Sequence, residues 1–586
     1  MSETLENAAP SRTLGALLYG LARRPRLVLT LLCLVLWTPG VLSLPPLDRD
    51  ESRFAQASKQ MLESGNFVDI RFGAVPRYKK PVGIYWLQAA STKVAGMGAR
   101  DHIWTYRLPS LMGALAAVWL TFWCARAFAS AEAALLAAAL LGTTLLMAAE
   151  ATIATTDAVL LACVMGAQGV LLRVYQAARG VALAPGRRLL LLGWAAFAAG
   201  ILVKGPVVIG VCAATAIVLS LWDREGRWLG RTKPLMGVAL TLAVVLPWLI
   251  AIWLQSHGQF YEQSLGHDFA GKLAGGQESH GAPPGYFLAL ASLTLWPATL
   301  FLLPGLLAAI RNRAEPAMRF LLVWAGACWV MFELVPTKLP HYVLPVYPAL
   351  AMLAAVWVMA PREASSLWGK LVRIVASLQF ALGVAVLFVG VIILPRLYGL
   401  DSSGGPVAGS LIAIAGGRLI AADCVGAAIA LAALVAFLRR AKVAAVMLAL
   451  ASTLVFYPTL TAFVGPRLDQ FWVSPRAAAA ARALARPGDP APSLAGYVEP
   501  SLVFLLGTET AQTDGRGAAE VGAAQGGLAL VEDREQPAFM ARLAELEADA
   551  SQVGSVWGFN YSHGRRVRIR IYRIAPVREV TPPPAE

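Results

Sequence analysis

The chain has 586 residues, 57% of them hydrophobic and only 15% charged, with a formal net charge of +15. Soluble domains carry roughly 45–50% apolar and about 25% charged residues. This composition excludes a disordered chain, a nucleic-acid-binding globule and an ordinary cytosolic enzyme, and it points to a polytopic membrane protein.

A membrane span needs ~20 mostly apolar residues. The first is Leu27–Leu44. It follows Arg23, Arg24 and Arg26 with no small-residue cleavage site behind it, and reads as a retained anchor. Further spans are predicted at Leu108–Phe128, Ala131–Met147, Thr156–Val174, Leu189–Val203, Val207–Trp222 and Leu235–Leu254. After a gap come Tyr286–Ile310, Phe320–Val335, Tyr342–Met359, Leu371–Leu394, Leu419–Leu438 and Val443–Val464, thirteen in all. Cys33, Cys124, Cys163, Cys212, Cys328 and Cys424 all fall inside apolar runs without disulfide or metal-ligand spacing, and read as small core hydrophobes.

The charges give these spans a direction. With the N-terminus placed in the cytoplasm, the cytoplasmic segments hold Arg and Lys at twenty-two positions, from Arg12 and Arg23 through Arg173, Arg224, Arg311 and Arg362 to Lys442. The short opposite loops hold five: Lys204, Lys272, Lys338, Arg396 and Arg418. That asymmetry follows the positive-inside rule and explains much of the basic excess without nucleic acid.

Residues 1–26 are then a cytoplasmic N-terminus, 27–464 a transmembrane domain and 465–586 a C-terminal domain on the outer face. Long outer loops span 45–107 and 255–285. Within the first, Arg53–Leu62 and Val82–Gln88 are predicted as short amphipathic helices at the membrane surface. The C-terminal stretch mixes an Ala/Arg helix (Pro475–Arg486) with strand-like runs at Ser501–Leu506, Leu528–Val531 and Val567–Tyr572, and is expected to form a small α/β domain.

Titratable residues gather at the outer ends of the spans. The first long loop opens with Asp48-Arg49-Asp50-Glu51-Ser52-Arg53. This is either a solvated loop with local ion pairs or a carboxylate base beside a cationic pocket. It closes with Arg77-Tyr78-Lys79-Lys80 ahead of Tyr85-Trp86, an interfacial anchor or a site that neutralises a lipid phosphate. Asp157 follows Thr155-Thr156 at a span end, as a helix cap or a functional acid. Lys204 lies on the same side, as does the loop carrying Lys338, His341 and Tyr342. Scattered anchors would not need this convergence at one depth. His267, Glu278 and His280 share the second long loop without metal-ligand spacing, and no nucleotide or nucleophile-elbow motif occurs in a fitting context.

The ordered set Asp50-Glu51, Lys80-Pro81 with Tyr85-Trp86, Thr156-Asp157, Lys204-Gly205-Pro206 and Lys338-Leu339-Pro340-His341-Tyr342 resembles the bacterial aminoarabinose transferases, within the protein mannosyltransferase-like GT-C group. The resemblance covers roughly residues 20–465. It implies a mainly α GT-C fold of about thirteen transmembrane helices with a small C-terminal α/β domain on the periplasmic face of the bacterial inner membrane. It implies an inverting glycosyltransferase that moves a sugar, 4-amino-4-deoxy-L-arabinose or a relative, from a polyprenyl phosphate to lipid A or a related lipid. By motif match Asp50 is the expected catalytic carboxylate and Asp157 a second essential acid. Arg53 and Lys80 are the expected donor-phosphate ligands and Tyr342 a donor contact. Glu51, Tyr85, Lys204, Lys338 and His341 complete the expected substrate site. One departure stands out: where the metal-binding family pattern has Glu before the lysine of the Lys-Pro pair, this chain has Lys79. No metal ligand is therefore expected, although a divalent ion stays an open alternative. The expected partners are the polyprenyl-phosphate donor, the lipid acceptor and membrane lipids, with no nucleic acid and a monomeric chain. Alternatives are a related transferase acting on another glycolipid, a polysaccharide or a protein, and a lipid-linked sugar transporter, which the absence of visible repeats disfavours.

Overall fold

The structure is a computed structural model that describes residues 9–264, 266, 271, 281–361, 366–398 and 411–577. Each of the thirteen predicted segments is helical. Nine helices among the described residues are long and apolar enough to cross a membrane. Arg187–Lys204 carries basic residues at both ends, and Val207–Asp223 and Thr299–Arg311 are shorter.

Two expected spans are broken. The run Ala131–Met147 bends by 64° between helices Ala131–Thr143 and Leu145–Thr152. The run Tyr286–Ile310 is not one span but two helices, Tyr286–Thr294 and Thr299–Arg311, parted at Leu295–Ala298. Pro297 explains the second break, because its ring clashes with the preceding turn and it offers no N–H. Backbone freed inside a membrane must find partners, and the two breaks supply each other: Leu145 N–H donates to the Trp296 carbonyl at 2.9 Å. Tyr457 Oη donates to the buried Thr143 carbonyl, freed by the break, at 2.7 Å.

The first loop folds as helices Asp50–Ser64 and Gly83–Ala95 joined by a short hairpin. Asp50 and Glu51 suit the first turn of their helix, whose partial positive charge favours acids. Gly65, at φ 72°, ends it in the left-handed cap that glycine accepts without strain.

The C-terminal region forms a five-stranded sheet in the order Ala511–Thr513, Ser493–Ala495, Gly527–Glu532, Arg565–Ile574, Ala550–Asn560. The first three strands are parallel and the last two antiparallel. Helices Val473–Leu484 and Pro500–Leu506 pack on one face, Gly515–Gln525 and Gln536–Glu545 on the other. The expected strand at Ser501–Leu506 is thus a helix. A short apolar run bounded by turns does not distinguish a buried strand from a buried helix, and here Pro500 at the first helical position decides it. Among the cysteines, Cys424 lies on the exposed side of its helix rather than in the core.

One buried ion pair ties the first loop to the helical bundle. Arg107 and Glu51 are 0% and 2% exposed. Arg107 Nε and Nη2 each donate to a Glu51 carboxylate oxygen at 2.8 Å. Nη1 also donates to the Leu44 carbonyl at 2.7 Å and Nη2 to Pro45 at 2.9 Å. Glu51 accepts in addition from Ala154 N–H and Leu47 N–H, both at 2.8 Å.

The C-terminal domain grips the same loop from the other side. Asp48, buried, donates its N–H to Tyr561 Oη at 2.6 Å and accepts from Ser501 Oγ. Burial, and then the neighbouring charge of Glu499, push the Asp48 carboxyl up to about 7.

Two outcomes are expected. Arg107→Ala strands a buried carboxylate and should cost roughly 3–5 kcal/mol of stability, read as a large drop in thermal midpoint in detergent. A drop of the size seen for exposed arginines would remove the pair's structural role. For Asp48 the folded chain holds a proton that the unfolded chain releases, so stability declines as pH climbs from the ordinary carboxylate range through about 7 and is flat above it. The thermal midpoint should be higher at about pH 5.5 than at about pH 8, and Asp48→Asn should shrink the difference. An undiminished difference in that variant assigns the effect to other groups.

Candidate active site

The site forms where the first loop meets the ends of four helices. Helix Gly83–Ala95 starts against the end of Arg187–Lys204. A Cβ on Gly83 would lie 2.7 Å from the Leu202 carbonyl oxygen, so only glycine permits this approach. The contact brings Lys79-Lys80-Pro81 beside Lys204.

A cavity of about 430 Å³ opens between these elements. Its walls are apolar, with Leu160, Ile209, Trp248 and Phe332 among them. Its polar end carries Lys79, Lys80, Lys204, Asp157 and Tyr342. Lys204 Nζ donates to Asp157 Oδ1 at 2.5 Å and stands 5.2 Å from the centre of the Tyr342 ring. Both partners of this ion pair are nearly buried, at 9% and 6% side-chain exposure. Such a cavity fits a long apolar ligand with an anionic head.

Asp50 lies outside the cavity lining, on the exposed face of its helix, with its side chain 54% accessible. Its nearest charges are Arg77 at 3.6 Å and Arg53 at 4.0 Å. Partial burial works to raise the carboxyl pKa, but the fields of Arg77, Arg53, His341 and Lys80 outweigh it and hold Asp50 below the usual carboxylate range. Asp50 is therefore an ionised acceptor at neutral pH, set in a cationic surround.

Behind Asp157 lies a second acid. Glu150, 4% exposed, accepts from Thr155 Oγ1 at 2.8 Å. His341 stands between the two acids, with Nδ1 3.6 Å from Glu150 and Nε2 3.9 Å from Asp157.

The structure thus brings Lys80, Asp157, Lys204 and Tyr342 to one cavity, His341 behind it and Asp50 with Arg53 nearby. Three expected residues stand apart. Glu51 is turned into the core and engaged with Arg107. Tyr85 is fully buried, its ring 5.4 Å from Phe54. Lys338, 3% exposed, donates to the Val335 and Ala282 carbonyls at 2.7 and 3.1 Å. Sequence reasoning passed over Arg77 and Glu150. Arg77 was visible only as one member of a basic run. Glu150 carried a sharper signal, an acid in the apolar stretch between two predicted spans. Among the described residues no three His, Cys, Asp or Glu side chains gather as a metal-holding group. Lys79 brings positive charge to the cavity. His267, Glu278 and His280 lie outside the described residues.

This architecture is a GT-C fold, a bundle of long apolar helices with broken segments and a small C-terminal sheet domain. The crystal structure of ArnT from Cupriavidus metallidurans bound to undecaprenyl phosphate matches with a TM-score of 0.70 at 21% identity, over 93% of this chain and 97% of that one. Residues 79–253 match the family profile of dolichyl-phosphate-mannose-protein mannosyltransferase. The chain is 28% identical over 315 residues to the undecaprenyl phosphate-alpha-4-amino-4-deoxy-L-arabinose arabinosyl transferase 1 of Pseudomonas fluorescens, covering 52% of each. It is 27% identical over 376 residues to the corresponding transferase of Pectobacterium carotovorum, covering 62% of this chain and 63% of that one. The chain spans a little over half the length of the curated relatives it matches.

Proposed function

We propose that this chain is an inverting glycosyltransferase that takes a sugar from a polyprenyl phosphate and gives it to a lipid acceptor at the periplasmic face of the inner membrane. The observation that carries this reading is the cavity. Its apolar wall suits a prenyl chain, and its lysine-bearing end suits a phosphate, next to an ionised carboxylate outside the bilayer. The undecaprenyl phosphate in the similar ArnT structure supports the donor class. The names of the curated relatives support 4-amino-4-deoxy-L-arabinose as the sugar, and lipid A is the acceptor that the sequence resemblance implies.

The positive-inside pattern supports a cytoplasmic N-terminus, with the first loop and the 465–586 domain in the periplasm. The chain acts as a monomer with its 27–464 domain in the bilayer.

In this reading Lys80 and Lys204 hold the donor phosphate at the cavity end, and Arg53 neutralises it from the side of Asp50. Asp157 keeps Lys204 in place, and Tyr342 lines the pocket beneath its ammonium. Asp50 accepts the proton of the acceptor hydroxyl as the acceptor oxygen bonds to the anomeric carbon. The bond from that carbon to the phosphate oxygen breaks, and its electron pair leaves with the phosphate, which the lysines stabilise. Attack opposite the leaving group inverts the anomeric centre. No nucleotide and no covalent enzyme intermediate take part. A protein acceptor is the second reading, favoured by the mannosyltransferase profile over residues 79–253.

Asp50→Asn in membranes should lower transfer by roughly 10²-fold or more while leaving expression and binding of undecaprenyl phosphate unchanged. Near-normal transfer removes Asp50 from the mechanism. Lipid A mass spectra with and without the chain then separate the acceptors, since an unchanged spectrum favours the protein.

A further inference from the structure

Among the described residues the carboxylate of Asp50 has no close hydrogen bond holding it; its charged partners stand at 3.6 and 4.0 Å. Its place is set by the backbone on either side. On the C-terminal side, Glu51 is fixed to the bundle through Arg107 and Ala154. On the N-terminal side, Arg49 has φ 65° and ψ −120°. This is a region that only glycine enters freely, so an arginine stays there only when its surroundings over-determine it.

Those surroundings belong to the C-terminal domain, 453 to 513 residues away in sequence. Tyr561 Oη accepts the N–H of Asp48 at 2.6 Å, with 513 positions between them. The Arg49 guanidinium donates to the Ser562 carbonyl, and Ser501 Oγ donates to the Asp48 carboxyl. The turn that carries Tyr561 and Ser562, between strands Ala550–Asn560 and Arg565–Ile574, is itself braced. Asn560 Oδ1 accepts the N–H of Ser562 at 3.0 Å and of His563 at 3.3 Å, and its Nδ2 donates to Glu499 at 2.7 Å.

We propose that the C-terminal domain is a positioning element of the active site: its Tyr561–Ser562 turn holds Asp48–Arg49 in this conformation and thereby sets where the Asp50 carboxylate stands. Tyr561 and Arg49 are positioning residues and do not touch the substrate. The inference rests on Asp50 as the proton acceptor. It adds that a domain outside the bilayer decides how well that acceptor is aimed, so the domain is needed for turnover and not for holding the donor.

The test uses the full-length chain in detergent, with 4-amino-4-deoxy-L-arabinosyl undecaprenyl phosphate as donor, lipid A as acceptor and undecaprenyl phosphate as the binding probe. Tyr561→Phe and Arg49→Ala should each lower kcat by roughly 10- to 100-fold, with donor KM and undecaprenyl phosphate affinity within about twofold of the parent. Hydrogen exchange at the amides of residues 47–53 should rise. In an Asp50→Asn background Tyr561→Phe should bring little further loss, because both act through one carboxylate. Arg568→Gln, on an exposed position of the same hairpin, serves as the control and should leave kcat unchanged. Unchanged kcat and exchange in both positioning variants overturn the proposal. So does a loss of kcat matched by an equal loss of undecaprenyl phosphate binding, which marks general unfolding. The outcomes separate the two readings. An active Asp50→Asn overturns the role of Asp50 and the proposal with it. An inactive Asp50→Asn beside a normal Tyr561→Phe overturns the proposal alone.

Discussion

The Glu51–Arg107 pair is the point at which the first loop stops being a loop. A bidentate ion pair out of water is costly unless every donor and acceptor is engaged, and here the guanidinium meets two carboxylate oxygens and the carbonyls of Leu44 and Pro45. The result joins four stretches of chain at one place: the end of Pro25–Ser43, the start of Asp50–Ser64, the helix Ile103–Ala125 and the turn before Asp157. The alignment of everything at the site passes through this junction. Asp50 is the residue next to Glu51, and Asp157 follows three residues after Ala154.

A second constraint comes from the bilayer. Both helix breaks lie at Thr144 and Pro297, and they are joined by the hydrogen bond between Leu145 and Trp296. Without the break at Thr144 the segment that carries Glu150 would continue straight on. With it, Leu145–Thr152 turns by 64° and delivers Glu150 to His341 and, five residues after Thr152, the helix that starts at Asp157. Broken spans are tolerated where the freed backbone is satisfied by protein, and here the site is built in the space that the bends open.

The spans were legible because hydropathy over ~20 residues is a strong signal, and all thirteen segments are helical. What hydropathy does not carry is direction. Asp50 and Glu51 are neighbours in sequence, yet about 100° of helix rotation separates them, so one faces the cationic surround and the other the core. Glu51, Tyr85 and Lys338 have the right chemistry for a site, but their burial depends on partners remote in sequence: Arg107, Phe54 and the Ala282 carbonyl. The same limit hid Arg77, whose value comes from Asp50 standing 3.6 Å away. Glu150 is the exception, since an acid in an apolar stretch between two spans is costly enough to be singled out on that ground. The strand expected at Ser501–Leu506 is a helix for a local reason, because a six-residue apolar run fits either structure and Pro500 favours a helix start.

The electrostatics of the cavity follow from its place at the edge of hydrocarbon. An ammonium buried there without a countercharge is unstable, and so is a lone carboxylate. The Lys204–Asp157 pair meets both costs at once and leaves the cavity end with Lys79 and Lys80 as further cations. Among the described lining residues, a phosphate that enters therefore meets more lysines than acids without displacing Asp157 from Lys204. Asp50, ionised and outside the cavity lining, repels that phosphate only weakly because Arg53 and Arg77 stand beside it. The separation between a paired acid inside the cavity and a cation-flanked acid outside it lets one site hold an anion and keep a base. It also explains why the outer acid depends on backbone anchors in both the bundle and the C-terminal domain: a carboxylate with no tight partner of its own must be aimed by the chain that carries it.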